Sequence, residues 1–428
     1  MSDLFELFYQ TTGVCTDTRK IDEDCLFICL KGANFNGNSF AEQALENGAK
    51  YVIVDEEDYK TDSRIYLVDD TLKFLQNLAL NHRKKFSIPV IGITGSNGKT
   101  SSKELINCVL SKSYEVLATK GNLNNHIGVP LTLLRLAPMH EIAIIEMGAN
   151  RFKDIEELCA IAEPTHGIIT NIGKAHLEGF INFEGVLKTK KELYEAIVKV
   201  NGTIIYNGDD DTLKNNIPNK VSSICYGTTS DCIIEGKLLG LSPYVELKWK
   251  HGNYDSPTIH TQMIGKYNFY NYLAAIAFGI HFKVPEININ KAISEYTPEN
   301  NRSQVKKTEN NTLILDCYNA NPTSMRSALE SFAMIEHPNK LFIIGDMLEL
   351  GEESSNEHQS IGNLIQDLNL KGFSVGPIFK STEKSSFLHQ FADKTEALEY
   401  FKSHSINDAF ILLKGSRGIG LETLEEYL

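Results

Sequence analysis

The stretch from residue 88 to residue 110 combines residue types that together can hold a phosphate group. An apolar run at 88–93 leads into Thr-Gly-Ser-Asn-Gly-Lys-Thr-Ser at 94–101, and a helical pattern follows at 103–110. In a strand–loop–helix unit, backbone N–H groups of the loop and of the first helical turn point at a bound anion. The stretch therefore predicts a phosphate-binding loop.

Four residues of this loop have separate expected tasks. Gly95 and Gly98 allow the backbone to approach a phosphate closely, Lys99 reaches the terminal phosphates, and Thr100 holds Mg²⁺. The spacing is G-x-x-G-K-T rather than the longer G-x-x-x-x-G-K-[ST], because Ile93 stands where the first glycine would be. A glycine-rich turn without a ligand is the alternative.

Two further candidates follow predicted strands of the same region. Glu146 comes directly after the apolar residues 142–145, so we expect it at a strand end that faces the phosphate loop, where a carboxylate suits Mg²⁺. A salt-bridged or helix-capping acid is the alternative. His176 follows the strand-like run 167–172 through a short loop and is a candidate metal contact or phosphate donor, or a residue without a role.

Amide side chains suggest contacts with a base and with a substrate. Asn268 and Asn271 are three residues apart and so share one helix face, where paired amides can bond a purine edge. Asn124 belongs to a loop of amides and glycines at 121–128, which is either a substrate contact or a plain loop.

Two polar loops near the N-terminus suit a phosphorylated or sugar-like ligand, although each could be an ordinary turn. One spans 16–20 and the other 31–38, and both mix hydroxyls, amides, glycines and cations. In the last third of the chain, polar residues cluster after three predicted strands, at 316–322, 345–351 and 414–418. We expect these clusters to face one crevice.

Strand-like and helical runs alternate along the chain, which predicts an α/β protein of three domains. We expect a small α/β N-terminal domain at 1–85, a central domain with a mostly parallel sheet at 86–298, and a C-terminal Rossmann-like α/β domain at 299–428. The predicted helices include 71–85, 184–200 and 421–427.

The composition narrows the class of protein. The chain has 428 residues, 42% hydrophobic and 23% charged, with a formal net charge of -13, which argues against binding to nucleic acid or to a membrane surface. No run approaches a transmembrane span, so we expect a cytoplasmic protein without membrane insertion. The eight cysteines are scattered, and we expect free thiols in a reducing compartment.

The loop at 94–100 resembles that of the Mur ligases and of the folylpolyglutamate synthetases. Further motifs are similar to the Mur ligases that add D-alanyl-D-alanine, in order and in all three regions. They are Asp-Thr-Arg-Lys at 17–20, Lys-Gly at 31–32, Gly-Asn-Leu-Asn-Asn at 121–125, Glu-Met-Gly-Ala-Asn at 146–150, Asn-Ile-Gly-x-Ala-His-Leu-Glu at 171–178, Asp-x-Tyr-Asn-Ala-Asn-Pro at 316–322 and Gly-Asp-Met-x-Glu-Leu-Gly at 345–351.

The resemblance implies an ATP-dependent, ADP-forming ligase of peptidoglycan precursor synthesis. ATP would phosphorylate the terminal carboxylate of UDP-N-acetylmuramoyl-tripeptide, and the amine of D-alanyl-D-alanine would attack the resulting acyl phosphate. Cations must be held rigidly around the transferring phosphate and the later oxyanion. The resemblance also implies two Mg²⁺ sites. We expect a monomer.

Residue roles carry over from the family position by position. The pattern alone gave Lys190 no role, but by resemblance it falls where related ligases have a carbamylated lysine that binds Mg²⁺. The implied catalytic residues are Lys99, Glu146, His176 and Lys190, and the implied metal ligands are Thr100, Glu146, His176 and Lys190. The implied ATP contacts are Thr94, Gly95, Ser96, Asn97, Gly98, Lys99, Thr100, Ser101, Asn268, Asn271, Arg302 and Asp316. The implied substrate contacts are Thr18, Arg19, Lys31, Gly32, Asn124, Asn319, Asn321, Asp346 and Leu350.

Two positions depart from the family pattern, since Arg151 and Tyr267 stand where the family often has His. A sister ligase that adds a single amino acid, or a folylpolyglutamate synthetase, is the second enzyme hypothesis. A binding module without turnover is the third. We also expect the third domain to swing onto the central one, because the ATP contacts come from both.

Overall fold

The computed structural model describes residues 2–174, 177–180, 182–241, 243–299, 301–382 and 387–428, without the side chains of residues 2, 3, 177 and 178. Helices and strands alternate through most of this chain, as the sequence predicts. The first part holds α1 (Ser2–Phe8), β1 (Val14–Cys15), β2 (Leu26–Ile28), β3 (Lys31–Gly32), β4 (Phe35–Asn36), α2 (Ala41–Glu46), β5 (Tyr51–Val54), β6 (Ile65–Leu67) and α3 (Thr71–Arg83).

The central part contains the phosphate-loop motif and a run of strands after it. Its elements are β7 (Val90–Thr94), α4 (Lys99–Leu110), β8 (Val116–Ala118), α5 (Gly128–Leu133), β9 (Ile142–Glu146), α6 (Asp154–Ala162), β10 (His166–Ile169), α7 (Leu177–Phe180), α8 (Phe183–Lys199), β11 (Thr203–Asn207), α9 (Asp211–Lys214), β12 (Ser222–Gly227), β13 (Ile234–Gly240), β14 (Tyr244–His251), β15 (Tyr254–Asp255), β16 (Ile259–Ile264), α10 (Lys266–His281) and α11 (Glu286–Glu295).

The last part is a second alternating α/β stretch. Its elements are β17 (Gln304–Lys307), β18 (Thr312–Leu315), α12 (Pro322–Ala333), β19 (Lys340–Gly345), α13 (Ser354–Asp367), β20 (Gly372–Val375), α14 (Pro377–Lys380), β21 (Phe387–Phe391), α15 (Lys394–Ser403) and β22 (Phe410–Lys414).

The chain divides into two compact units. The first comprises residues 1–93, 114–149 and 153–166, and the second comprises 94–113, 150–152 and 167–428. In the first unit, strands β1, β2, β5 and β6 form a parallel sheet in that order. Strand β9 lies between β8 and β7, both parallel to it, and its register sets Ile93 opposite Glu146.

In the second unit, strands follow the order β10-β11-β12-β13-β14, parallel from β11 to β13 and antiparallel beyond. Helix α10 packs against α4 and is buried along most of its length. This close packing requires a glycine at 279, because a Cβ there would lie 2.7 Å from a methyl carbon of Val109.

The C-terminal sheet has the strand order β17-β18-β22-β19-β20-β21, and only the edge strand β17 runs antiparallel to its neighbour. Apolar clusters cover both faces of this sheet, which explains why β22 is buried at every residue. Strands β18, β19 and β22 are parallel, so the polar motifs that follow them meet at one edge, as predicted.

Several local predictions differ from the structure. The phosphate-loop helix begins at Lys99 rather than near 103, because the loop residues themselves enter the helical turn. Residues Leu421–Tyr427 form a 3-10 helix, and the sequence analysis missed β21 and α11. These are short or weakly periodic segments whose conformation is decided by packing.

The expectation of eight free thiols is wrong for two cysteines. Cys225, near the end of β12, forms a disulfide with Cys232, and their Cα atoms are 4.7 Å apart. The turn between β12 and β13 brings the two together, which their spacing in the sequence did not reveal. The other six cysteines are free. No helix in the described residues is long and apolar enough to cross a membrane.

Candidate active site

The phosphate loop has the backbone conformation that its glycines predict. Gly95 has φ +145° and Gly98 has φ +78°, and α4 begins directly after Gly98. A Cβ at Gly95 would overlap Thr170 Oγ1, and one at Gly98 would lie 2.9 Å from Asn271 Oδ1. Neither position can therefore carry a side chain, because the space is occupied and because the positive φ disfavours residues other than glycine.

The residues after β10 hold this loop in place. Asn97 donates its N–H to Asn171 Oδ1 at 3.0 Å, and its carbonyl accepts from Thr170 Oγ1 at 2.5 Å and from Asn171 Nδ2 at 2.9 Å. Ser96 Oγ bonds both the carbonyl and the N–H of Gly173. The sequence analysis missed Thr170 and Asn171 as loop supports, although their place at the end of a strand was a usable signal.

The cationic and hydroxyl side chains of the loop lie close to its backbone. Lys99 Nζ donates to the carbonyls of Gly95 at 2.7 Å and of Ser96 at 3.2 Å, so the ammonium group lies against the loop backbone. The predicted contacts Thr94, Thr100 and Ser101 are buried in the same segment. A concentration of N–H donors and one cation at a helix start is a chemically suitable place for a polyphosphate.

Glu146 ends the buried strand β9 and is only 1% exposed. Its Oε1 accepts from Asn124 Nδ2 at 2.7 Å, and its N–H donates to Thr119 Oγ1 at 3.0 Å. Its Oε2 is buried and has no hydrogen-bond partner among the residues that the structure describes. A buried carboxylate oxygen without a partner is costly, so the donor set fits a divalent cation.

Two other predicted metal ligands are His176 and Lys190. His176 lies outside the described residues. Lys190 is in the middle of α8, is 2% exposed, and has its Nζ 5.7 Å from the ring centroid of Phe180. Lysine side chains are seldom buried, because their charge is best solvated by water. The burial of Lys190 is therefore consistent with the metal-binding role predicted for it.

The two amides predicted to contact adenine bond protein groups. Asn268 Nδ2 donates to the Ile264 carbonyl at 2.7 Å and to Ser303 Oγ at 3.2 Å. Asn271 Nδ2 donates to Asn268 Oδ1 at 2.8 Å, and its Oδ1 accepts from Ser102 Oγ at 3.0 Å. This chain of bonds fixes α10 against α4, and contact with a base stays a prediction.

Ser303 organises the start of the C-terminal part and was missed by the sequence analysis. Its Oγ contacts Tyr267 Oη at 2.7 Å, and its N–H donates to Asp316 Oδ1 at 3.2 Å. Asp316 also pairs with Lys414 Nζ at 2.6 Å. The predicted nucleotide contact Arg302 lies beside this network, with its guanidinium carbon 3.7 Å from the Tyr318 ring centroid. Burial raises the pKa of Tyr267 well above its usual range, so it stays neutral.

The predicted acceptor-side residues fall into two groups. Asn319 is exposed, and Asn321 caps α12 while its Nδ2 donates to Asn97 Oδ1 at 2.7 Å. Asp346 and Leu350 are buried. Asp346 accepts the N–H groups of Ile378 and Phe379, both at 2.9 Å. In this structure its carboxylate caps a helix, and contact with the acceptor stays a prediction.

The predicted N-terminal contacts lie in the first unit. Arg19, which follows Thr18 in a single 3-10 turn, forms a two-bond pair with Asp17, and this arginine lowers the pKa of the aspartate to about 2. Lys31, next to Gly32 in β3, pairs with Asp55 at 3.0 Å. These cations therefore stand next to carboxylates, which orient them before any ligand binds.

Three known family models match this chain one after another, from residue 10 to residue 417. The Mur ligase family, catalytic domain, matches residues 10–83; the Mur ligase middle domain matches 93–279; and the Mur ligase, glutamate ligase domain, matches 301–417. The three matches follow the order of the predicted three-domain α/β fold and confirm that fold class.

Individual proteins with the same architecture are similar over nearly their whole length. The UDP-N-acetylmuramoyl-tripeptide–D-alanyl-D-alanine ligase of Bacillus subtilis is 36% identical, and that of Escherichia coli is 33% identical; each alignment covers 96% of this chain and 92% of the relative. The crystal structure of MurF from Thermotoga maritima in complex with ADP has a TM-score of 0.87 at 25% identity, covering 100% of this chain and 98% of that one. The chain therefore belongs to the Mur ligase family, in the branch of the UDP-N-acetylmuramoyl-tripeptide–D-alanyl-D-alanine ligases.

Proposed function

We propose that this chain joins UDP-N-acetylmuramoyl-tripeptide to D-alanyl-D-alanine through an amide bond and converts ATP to ADP and phosphate. The observation that carries the proposal is the phosphate loop at 94–101, held by Asn171 and Asn321 in a chain that matches such ligases from end to end. The reaction belongs to the synthesis of peptidoglycan precursors. We place it in the cytoplasm, where ATP is available, and expect a monomer.

The work is divided among three domains in this proposal. Residues 1–85 bind the UDP moiety, with Thr18, Arg19, Lys31 and Gly32 as contacts. Residues 86–298 bind ATP, and residues 299–428 bind the acceptor and complete the nucleotide site with Arg302 and Asp316. The polar loops that would do this are already braced by hydrogen bonds and ion pairs, which lowers the entropy lost on binding.

Amide formation proceeds in two steps. A carboxylate oxygen of the tripeptide attacks the γ-phosphorus of ATP, the bond from that phosphorus to the bridging oxygen breaks, and ADP leaves. The amine of the dipeptide then attacks the acyl carbon, the bond from that carbon to the phosphate oxygen breaks, and the nitrogen gives up a proton. Lys99 and the loop N–H groups stabilise the charge on the transferring phosphate.

Magnesium fits the donor set of the chain, because one buried carboxylate oxygen of Glu146 has no hydrogen-bond partner within the described part of the chain. Thr100, Glu146, His176 and Lys190 are the residues that would hold two Mg²⁺ ions. Bound Mg²⁺ neutralises phosphate charge during transfer. The role of Lys190 requires a carbamate, which converts its amine into an oxygen ligand.

Carbamylation of Lys190 has a direct test that does not depend on turnover. We expect one carbamate signal in the ¹³C NMR spectrum of protein equilibrated with ¹³C-bicarbonate, and we expect Lys190→Ala to lack it. Lys188→Ala changes a neighbouring lysine on the same helix and serves as the control that keeps the signal. Identical spectra for the Lys190→Ala variant and the unmodified protein would contradict the assignment.

The test of the function is phosphate release by the purified protein with ATP, Mg²⁺ and UDP-N-acetylmuramoyl-tripeptide. We expect release only when D-alanyl-D-alanine is added, together with a product heavier by that dipeptide. Release with a single amino acid would assign the chain to a sister ligase. ATP binding without release with any acceptor would leave a binding module.

A further inference from the structure

Two arginines of the second unit share one aromatic ring. The guanidinium carbon of Arg302 lies 3.7 Å from the ring centroid of Tyr318, and that of Arg417 lies 5.5 Å from the same centroid. Both distances are within the range of a cation–π contact. Two like charges on one ring repel each other, so the pair is most stable with an anion beside it.

Within the described residues, neither arginine has an acidic partner. The nearby carboxylate of Asp316 is paired with Lys414 at 2.6 Å and also accepts the N–H of Ser303. The chain carries a formal net charge of -13, so it has more carboxylates than cations and could have paired these arginines with acidic side chains. The arginine pair is therefore a cationic site that the fold leaves open.

The backbone around Arg302 is held in a strained conformation. Its neighbours Asn301 and Ser303 have φ of +54° and +53°, which is uncommon for residues with side chains. The Ser303 contacts with Tyr267, Asn268 and Asp316 hold this segment. Strain of this kind persists only where surrounding contacts impose it, so the backbone that carries Arg302 is held in place.

The segment that carries Arg417 is fixed as well. Ser416 Oγ accepts the N–H of Leu348 at 2.9 Å and donates to the Ala320 carbonyl at 3.4 Å, so it joins the three strand-end motifs. The Arg417 side chain itself is exposed. Leu348 is 42% exposed, and its Cδ1 lies 3.0 Å from the position that a Cβ on Gly418 would take. An apolar side chain therefore lies beside the chain segment that carries Arg417.

We propose that Arg417 binds the free carboxylate of the acceptor dipeptide, while Arg302 on the same Tyr318 ring keeps the nucleotide contact proposed for it and Leu348 lies beside the acceptor methyl groups. The inference rests on the proposed function. An acceptor with a reacting amine at one end and an unreactive carboxylate at the other suits a site with one cation and one apolar contact. A guanidinium can bond both carboxylate oxygens at once.

A cation at this place can make the protein selective for the length of the acceptor. The distance from the reacting amine to the carboxylate differs between a dipeptide and a single amino acid. An arginine fixed at one point of the crevice favours the acceptor whose carboxylate reaches it while its amine is in place for attack.

The test compares two acceptors, D-alanyl-D-alanine and its C-terminal amide, by kcat/KM from phosphate release. We expect the unmodified protein to prefer the acid by about 10- to 100-fold, the range of a charge-assisted hydrogen bond. We expect Arg417→Ala to lose this preference, chiefly through a higher KM for the acid, while the KM for ATP stays the same.

Arg326→Ala is the matched control. This arginine lies on α12 of the same unit, is exposed, donates to Ser360 Oγ at 3.2 Å and forms an ion pair with Glu330 at 3.9 Å. We expect the control to keep both the preference and the KM for ATP. Arg417→Lys keeps the charge without the paired donors, so its preference should lie between the two.

Three results would overturn the inference. One is an Arg417→Ala variant that still prefers the acid as strongly as the unmodified protein. Another is a raised KM for ATP with an unchanged preference, which would assign the cation to a nucleotide phosphate, the other oxyanion available. The third is an unmodified protein that turns over neither acceptor, which would remove the proposed function along with the inference.

Discussion

The side-chain amide of Asn321 donates to the side-chain oxygen of Asn97 at 2.7 Å. Asn97 belongs to the phosphate loop, whereas Asn321 caps helix α12 through a bond from the N–H of Ser324. The N–H and carbonyl of Asn97 are held by Asn171 and Thr170. One residue of the C-terminal motif thus fixes the side chain at the tip of the loop.

Replacing Asn321 separates its two tasks. Asn321→Ser keeps a good helix cap but loses the amide donor, whereas Asn321→Ala loses both. We expect both variants to lower kcat/KM for ATP by about tenfold, since the half-buried hydrogen bond that holds the Asn97 side chain is lost. Only Asn321→Ala should also lose about 1 kcal/mol of unfolding free energy. Kinetics and urea unfolding measure these effects, and an Asn321→Ser variant with unchanged kinetics would contradict the linkage.

Gly95 is predicted to be irreplaceable in the phosphate loop. Gly95→Ala places a Cβ against Thr170 Oγ1, so the loop must move and ATP binding should fall by at least about 100-fold. Gly252→Ala is the control, because Gly252 also has positive φ but nothing within 4 Å of its Cβ position. Calorimetric titration with ATP and Mg²⁺ tests both. If the two variants bound ATP with equal affinity, ATP binding would not depend on the absence of a side chain at residue 95.

Glu146→Gln is expected to weaken Mg²⁺ binding. The amide can still accept from Asn124, but a neutral group replaces the carboxylate oxygen that has no partner among the described residues. We expect the Mg²⁺ concentration for half-maximal activity to rise by roughly 10- to 100-fold, within the usual range for a change at a metal site. Glu141→Gln, near the other end of β9, keeps its bond from the N–H of Glu115 and should change nothing. If the Mg²⁺ dependence of the two variants coincided, Glu146 would not be a ligand.

Buried His358 should make the protein less stable in acid. Its Nε2 accepts the N–H of Met347 at 3.0 Å and its Nδ1 donates to the Ser354 carbonyl, so the ring is neutral. Burial lowers the pKa of His358 below 6.5, and the facing carboxylates of Asp346 and Glu357 only partly oppose this.

A histidine whose pKa is lowered in the folded state takes up its proton more readily when unfolded, so stability falls as the pH drops below about 6.5. Urea unfolding between pH 5 and pH 8 measures this slope. His358→Gln should reduce the slope and leave the part due to His82 and His281, whose pKa values burial also lowers. An unchanged slope in His358→Gln would exclude His358 as a cause.

The sequence by itself determined the α/β class, the phosphate loop and the family. Local chemistry was enough to predict the loop, because its glycines and Lys99 directly precede or open helix α4, although remote residues, Thr170 and Asn271, set the space around Gly95 and Gly98. The buried apolar run before Glu146 likewise predicted a strand with a carboxylate at its end, and β9 has that form.

Only the tertiary structure decided which groups meet across long stretches of chain. The Asn97–Asn321 bond and the pair of arginines on Tyr318 each join residues that are remote in sequence, and no local pattern encodes such pairing. The same holds for Asp346, whose bonds to the first turn of α14 join it to residues that no local pattern pairs with it. Side-chain partners depend on how strands are ordered in a sheet, and that order is set by packing of the whole domain rather than by neighbours in the chain.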